Sequence, residues 1–137
     1  MPSEAKDISS RADIIRLVDG FYERVRHDDV IGPIFNDVAQ VDWAAHLPKM
    51  YAFWESILFG TAGFKGNPMA VHRALAQRVS LTGDEFERWL AVFRLTVDAF
   101  FAGPTAEDAK DRASRIAVTM QHHINADAAQ AMFVRRA

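Results

Sequence analysis

The clearest helical pattern in the chain lies between Thr82 and Phe101, where the sequence reads TGDEFERWLAVFRLTVDAFF. Large apolar residues recur there at steps of three and four, which is the spacing of one face of an α-helix. They are Phe86, Trp89, Leu90, Phe93, Val97, Phe100 and Phe101. Thr82 and Glu85 have the spacing of a capping box, and Gly103-Pro104 ends the pattern. The stretch therefore predicts a long amphipathic helix with a bulky aromatic face.

The same helical spacing of apolar residues recurs near the N-terminus. One apolar stripe predicts a helix that ends near residues 27–29. The stripe consists of Ile8, Ile15, Val18, Tyr22 and Val25. Gly20 within this helix would allow a close helix crossing. Asp42 is the expected N-cap of a segment from Trp43 to Phe59. Because Pro48 lacks an amide hydrogen, we expect the regular helix to begin near Pro48 and His46 to lie in a preceding turn or a kinked first turn.

Two further helices follow the remaining breaks. Gly60 to Gly66 has the composition of a surface loop, and Asn67-Pro68 predicts the start of a short helix that carries Met69, His72 and Leu75 on one face. Thr105 is expected to open a last helix that extends to about Asn125. No segment alternates polar and apolar residues over the length of a strand, so the sequence predicts an all-α protein.

Composition limits the class of protein. With 137 residues, half of them hydrophobic, we expect a single domain over 1–137, with its core at about 8–125 and frayed polar ends. The absence of cysteine excludes disulfides, thiolate metal sites and iron–sulfur clusters. The net charge of −2 argues against a nucleic-acid partner. No apolar run is long enough for a membrane span and the N-terminus resembles no signal peptide, so we expect a cytoplasmic protein.

The five histidines are the candidate metal ligands. His27, His122 and His123 fit solvated or helix-capping positions better than a shared site. His72 lies between Met69 and Leu75 on an apolar face, a setting that suits either a buried structural histidine or the single proximal ligand of haem iron. Motifs of other metal and nucleotide sites, such as Glu-x-x-His pairs, His-Glu-x-x-His and the P-loop, do not occur in the sequence.

Five stretches, taken in order, resemble the truncated haemoglobins, and most of all their group III subfamily. They are Phe21–Arg26, Gly32–Asn36, Trp43–Trp54, Gly66–His72 and Phe86–Leu90. The resemblance covers roughly residues 14 to 124, nearly the whole domain. The resemblance implies a two-over-two helical sandwich around non-covalent haem b.

The resemblance also assigns residues. His72 would bind the iron, Phe35 would pack on the porphyrin, and Tyr22, His46 and Trp89 would form the distal side. Residues expected around the cofactor are Lys49, Met50, Phe53, Trp54, Met69, Leu75, Phe86, Leu90 and Phe93. Lys49 is the favoured partner of the haem propionates, ahead of Lys65, Arg73 and Arg78.

The expected function is binding of dioxygen, nitric oxide, carbon monoxide or peroxide at a five-coordinate iron. The Tyr22 hydroxyl and the Trp89 indole would donate hydrogen bonds to bound dioxygen, and His46 would be a mobile gate beside Pro48. Two alternatives stay open: a redox enzyme with nitric oxide dioxygenase or peroxidase-like activity, supplied by a reductase, and a haem-free helical interaction module.

Overall fold

The computed structural model describes residues 5–38, 42–61 and 83–136, without the side chains of 37, 38 and 126–136. It contains four α-helices in these ranges: α1 (Arg11–Arg26), α2 (Trp43–Phe59), α3 (Gly83–Phe100) and α4 (Pro104–Arg136). A short π-helical turn, Ile34–Val38, precedes α2. Within the described ranges there is no strand, and the prediction of an all-α protein is confirmed.

The helices pack as two pairs, α1 with α2 and α3 with α4. The pairs are joined where α1 lies on α3 and, over a smaller area, where α2 meets α4. One hydrophobic core runs through this two-over-two arrangement, and its bulkiest fully buried side chains are Phe21, Phe93 and Phe101. The stripes predicted for α1 and α3 thus meet at the centre of the fold.

Gly20 permits the close crossing of α1 and α3 that its position in the sequence suggested. A Cβ atom at this position would clash with the ring of Phe100. The same ring is covered by two guanidinium groups of α1, with Arg16 Cζ at 4.6 Å and Arg24 Cζ at 5.3 Å from its centroid. The missing side chain therefore lets an aromatic residue at the end of α3 pack onto the backbone of α1.

The N-terminal segment is fastened to the start of α4. The carboxylate of Asp7 accepts hydrogen bonds from the amides of Thr105 at 3.0 Å and Ala106 at 2.8 Å. The amide of Ala102 donates to the carbonyl of Lys6 at 3.0 Å. A residue almost one hundred positions away thus caps α4, whose first amides have no partner within their own helix. The backbone of α4 remains helical to Arg136, past Asn125, where the sequence predicts a frayed end.

The prediction that the regular helix begins near Pro48 is wrong. Helix α2 begins at Trp43, and the side chain of Asp42 accepts a hydrogen bond from the amide of Ala45, as an N-cap does. Pro48 lies inside the helix. The bond it removes is the one to the carbonyl of Ala44, a residue exposed to solvent, so water can satisfy that carbonyl. His46 is therefore a helical residue, and its amide donates to the carbonyl of Asp42 at 2.8 Å.

Candidate functional site: an aromatic cluster between α1 and α2

Tyr22 lies at the centre of the candidate site. It lies on the buried face of α1, and 6% of the residue is exposed to solvent. Burial raises the pKa of its phenol above the ordinary value. Among the residues described, none accepts a hydrogen bond from its hydroxyl, which contributes no bond to the packing of the helices. A hydroxyl without a described acceptor, on a residue this well covered, is available to donate to a bound molecule.

His46 lies directly against Tyr22. The two rings meet edge to face, with centroids 5.2 Å apart, and Nε2 of His46 is shielded from solvent. The structure thus brings together two of the three residues predicted for the distal side. The expectation of a mobile His46 rested on an irregular backbone before Pro48, and that premise is wrong because α2 is helical there.

Phe35 and Trp43 complete the ring cluster around Tyr22. Their rings stack with centroids 6.1 Å apart, and they lie 6.1 Å and 5.3 Å from the Tyr22 ring, respectively. The indole of Trp43 also contacts His46, at 5.8 Å between centroids. The sequence reasoning did not single out Trp43 as a site residue. The available signal was its position three residues before His46, which places both on one face of α2.

The chain returns to Tyr22 through a tight connection after α1. A Cβ atom at Gly32 would lie 3.0 Å from the carbonyl oxygens of Val25 and Arg26, so the absent side chain lets this segment pack on the end of α1. The next turn of the chain carries Phe35. A hydrogen bond links this turn to the end of α1: Asn36 Nδ2 donates to the carbonyl of Arg26 at 3.0 Å.

Asp28 shapes the same connection and ties it to α3. Its buried carboxylate accepts hydrogen bonds from the amides of Val30 and Ile31, and Nε of Arg88 donates to it at 2.6 Å. Burial by itself would raise the pKa of Asp28, but these donors outweigh burial and lower it. The charged carboxylate of Asp28 therefore holds Arg88, the residue of α3 that directly precedes Trp89.

Trp89 lies one ring away from the other two distal candidates. Its indole contacts Phe21 edge to face at 5.6 Å and stacks on Phe93 at 5.8 Å. Phe21 in turn contacts Tyr22 at 4.8 Å. No described residue accepts a hydrogen bond from the Trp89 indole. The ring contacts of the described residues therefore connect Trp89 to Tyr22 through Phe21, whereas the rings of Tyr22 and His46 touch directly.

The predicted wall residues divide into two groups by burial. Trp54 and Phe93 are 2% and 1% exposed and stack on each other at 4.8 Å, so they are covered by protein and support the wall from behind. The others keep part of their surface open; they are Met50, Phe53, Phe86 and Leu90. Helix α2 is rich in such half-covered apolar residues, and Trp54 is its one buried residue.

The predicted proximal residues lie outside the described residues. These are Met69, His72 and Leu75, together with the cations Lys65, Arg73 and Arg78. Lys49 is described, and its side chain is exposed on α2. His27 caps the end of α1, with Nδ1 2.9 Å from the carbonyl oxygen of Glu23, and His122 and His123 are exposed on α4, as predicted.

In residues 5–38, 42–61 and 83–136 no group of three or more histidine and acidic side chains could hold a metal ion between them. In the same ranges no helix has the length and apolar character needed to cross a bilayer.

Comparison with known proteins identifies the family of this chain. The family model described as Bacterial-like globin matches residues 6–125. The Group 3 truncated hemoglobin ctb of Campylobacter jejuni is 30% identical over 112 residues, which cover 80% of this chain and 86% of that protein. The crystal structure of a group III truncated hemoglobin from the same species superposes with a TM-score of 0.76 at 28% identity, over 88% of this chain and 94% of that one. The chain therefore belongs to the bacterial-like globins, and its resemblance to the group III truncated haemoglobins is confirmed.

Proposed function

We propose that this protein binds haem b and uses it to bind dioxygen and other diatomic gases, with His72 as the iron ligand. Membership of the globin family supports a haem cofactor and gaseous ligands. The observation that carries the proposal is the buried residue Tyr22, whose ring lies against His46 and whose hydroxyl has no acceptor among the described residues. Folding such a group into an apolar site costs free energy unless a ligand accepts its hydrogen bond.

The described residues fit a large, flat apolar cofactor. One side of α2 presents apolar side chains that the rest of the protein covers only in part, and Phe35 lies beside them. Burial of such surface by a cofactor is favourable by about 25 cal/mol per Å². When bound, haem supplies an iron with an open coordination position for a small ligand.

The polar groups of the site have separate roles in this proposal. Tyr22 donates a hydrogen bond from its hydroxyl to the bound gas, and Trp89 offers a second N–H from the α3 side. His46 borders the site from α2. The aromatic walls exclude water, which strengthens each donated hydrogen bond. Lys49 lies three residues after His46 on α2, so it is one turn further along the same face and can pair with a haem carboxylate.

Loss of the proximal ligand tests the proposal. Wild-type protein purified with haem b should show a Soret band, and His72→Ala should lose haem or require added imidazole to keep it. His123→Ala, which removes an exposed imidazole of α4, serves as the matched control and should keep the wild-type spectrum. A wild-type protein without a Soret band would support a haem-free interaction module instead. An unchanged spectrum in His72→Ala, together with haem loss in His46→Ala, would reverse the two assignments.

A further test separates gas binding from catalysis. Haem-loaded protein that releases dioxygen slowly and does not turn over nitric oxide or peroxide with a reductase acts as a binding protein. Sustained turnover would assign the redox activity that the sequence left open.

A further inference from the structure

Arg26 occupies a special position at the edge of the aromatic cluster. It lies one helical turn after Tyr22, so the two residues share a side of α1, with Tyr22 buried and Arg26 exposed. Its guanidinium carbon lies 4.7 Å from the centroid of the Trp43 ring. Within the described part of the chain no carboxylate forms an ion pair with Arg26, so the Trp43 ring is its principal side-chain contact.

The backbone of Arg26 makes a second connection. Its carbonyl accepts the hydrogen bond from Asn36 Nδ2 that holds the turn carrying Phe35. One residue at the end of α1 is therefore joined to both segments that approach Tyr22, namely the π-helical turn through its carbonyl and α2 through its guanidinium.

The ring of Trp43 also contacts His46. Its indole meets the imidazole edge to face at 5.8 Å, with 80° between the ring planes, and stacks on Phe35 on another side. Among the described residues, the rings of Trp43 and Tyr22 border the imidazole of His46. A ring in such a T-shaped contact has a preferred orientation, and loss of a neighbouring ring removes that preference.

We propose that Arg26 and Trp43 form a clamp that positions the imidazole of His46 against Tyr22 and thereby sets the rate at which the site releases dioxygen. Arg26 and Trp43 are positioning residues: they act through His46 and Tyr22. The clamp is a property of the folded chain, whereas its effect on dioxygen rests on the proposed function.

The test uses substitutions that leave the backbone contacts intact. Arg26→Gln removes the cation–π contact and keeps the carbonyl that binds Asn36, Arg26→Lys restores the charge, and Trp43→Ala removes the ring. Arg16→Gln is the matched control, because Arg16 makes a similar contact from the same helix, with its Cζ 4.6 Å from the centroid of the Phe100 ring on α3.

Two measurements are made on each variant. Nuclear Overhauser effects between the ring protons of His46 and Tyr22 report the clamp itself, in haem-free protein and in haem-loaded protein saturated with carbon monoxide. The dissociation rate of dioxygen reports its consequence. Arg26→Gln should weaken the Overhauser effects and speed dissociation by about two- to fivefold, the range expected for an exposed cation–π contact. Trp43→Ala should have a larger effect, while Arg26→Lys and Arg16→Gln should stay close to wild type.

The clamp is refuted if Trp43→Ala leaves the Overhauser effects between His46 and Tyr22 unchanged, or if Arg16→Gln weakens them as much as Arg26→Gln does. If wild-type protein takes up no haem, the proposed function fails, and the Overhauser effects in haem-free protein still decide whether the clamp exists. Unchanged dioxygen dissociation with weakened Overhauser effects would refute the kinetic part of the proposal.

Discussion

Replacement of Tyr22 by phenylalanine should stabilise the haem-free protein against unfolding. In haem-loaded protein, the same replacement should speed the dissociation of dioxygen. The Tyr22 residue is buried and its hydroxyl has no acceptor among the described residues, so the folded chain bears part of the cost of removing this group from water. That cost is about 1–3 kcal/mol for a buried polar group without a partner. Water can enter the open side of the site in the haem-free protein. We therefore expect Tyr22→Phe to raise the free energy of unfolding of haem-free protein by about 1 kcal/mol, at the low end of this range.

The same substitution removes the proposed donor to dioxygen. A hydrogen bond to a group that carries charge contributes about 1.5–3 kcal/mol, which corresponds to roughly a 10- to 150-fold faster dissociation of dioxygen. Urea unfolding of haem-free protein measures the first effect, and stopped-flow displacement of dioxygen by carbon monoxide measures the second. The two effects have opposite consequences for fold and function, which is the signature of a group retained for binding.

Tyr51→Phe is the matched control. The hydroxyl of Tyr51 donates to the carboxylate of Asp19 and so links α2 to α1. Its removal should lower the free energy of unfolding by about 1 kcal/mol and leave dioxygen dissociation unchanged. The reasoning about Tyr22 would be refuted if Tyr22→Phe destabilised the haem-free protein and released dioxygen at the wild-type rate.

Three predictions concern stability. Burial alone would raise the pKa of Asp13, but hydrogen bonds from Ser9 and Lys6 lower it from 3.8 to about 2. Its carboxylate therefore stabilises the fold fully above the unfolded pKa, and this stabilisation is lost as pH falls toward about 2, so Asp13→Asn should flatten the decrease in unfolding free energy between about pH 4 and 2 in urea titrations. Asp28→Ala leaves the buried amide of Ile31 without its acceptor and should cost about 1–3 kcal/mol by the same assay, and wild-type stability in this variant would show that water replaces the carboxylate. Asp7→Ala removes the cap of α4 and should lower the free energy of unfolding by about 1 kcal/mol, measured by thermal melting, whereas an unchanged melting temperature would mean that the two amides are satisfied by solvent.

Periodicity was sufficient to predict α1 and α3, because a stripe of apolar residues is buried only if the segment is helical at the right phase. The short helix predicted after Asn67-Pro68 lies outside the described residues. Helix α1 ends at Arg26, just before the predicted range, and α3 ends at Phe100, before Gly103-Pro104. The start of α2 was predicted wrongly. Local rules disfavour the helical backbone before Pro48, but the capping side chain of Asp42 and the exposed position of Ala44 make an earlier start possible.

The candidate site was predictable in its members only through resemblance to a family, since isolated tyrosine, histidine and tryptophan residues on apolar faces are usually part of the core. The structure brings Tyr22 and His46 into contact and separates them from Trp89 by the ring of Phe21. It also adds Trp43, whose ring contacts the guanidinium of Arg26, seventeen residues earlier and on another helix. The assignment of His72 lies outside the described residues and stays a prediction.

The sequence by itself determined that the chain is helical, where most of its helices lie and which faces they bury, because these properties depend on spacings of three and four residues within one segment. Only the tertiary structure decided which rings meet around Tyr22, that Asp7 caps α4, and that Asp28 binds Arg88. These contacts join residues that are far apart in the chain, and their geometry follows from how closely helices approach at positions such as Gly20 and Gly32. The distance between two side chains on different helices depends on the packing of the whole core, which no local pattern encodes.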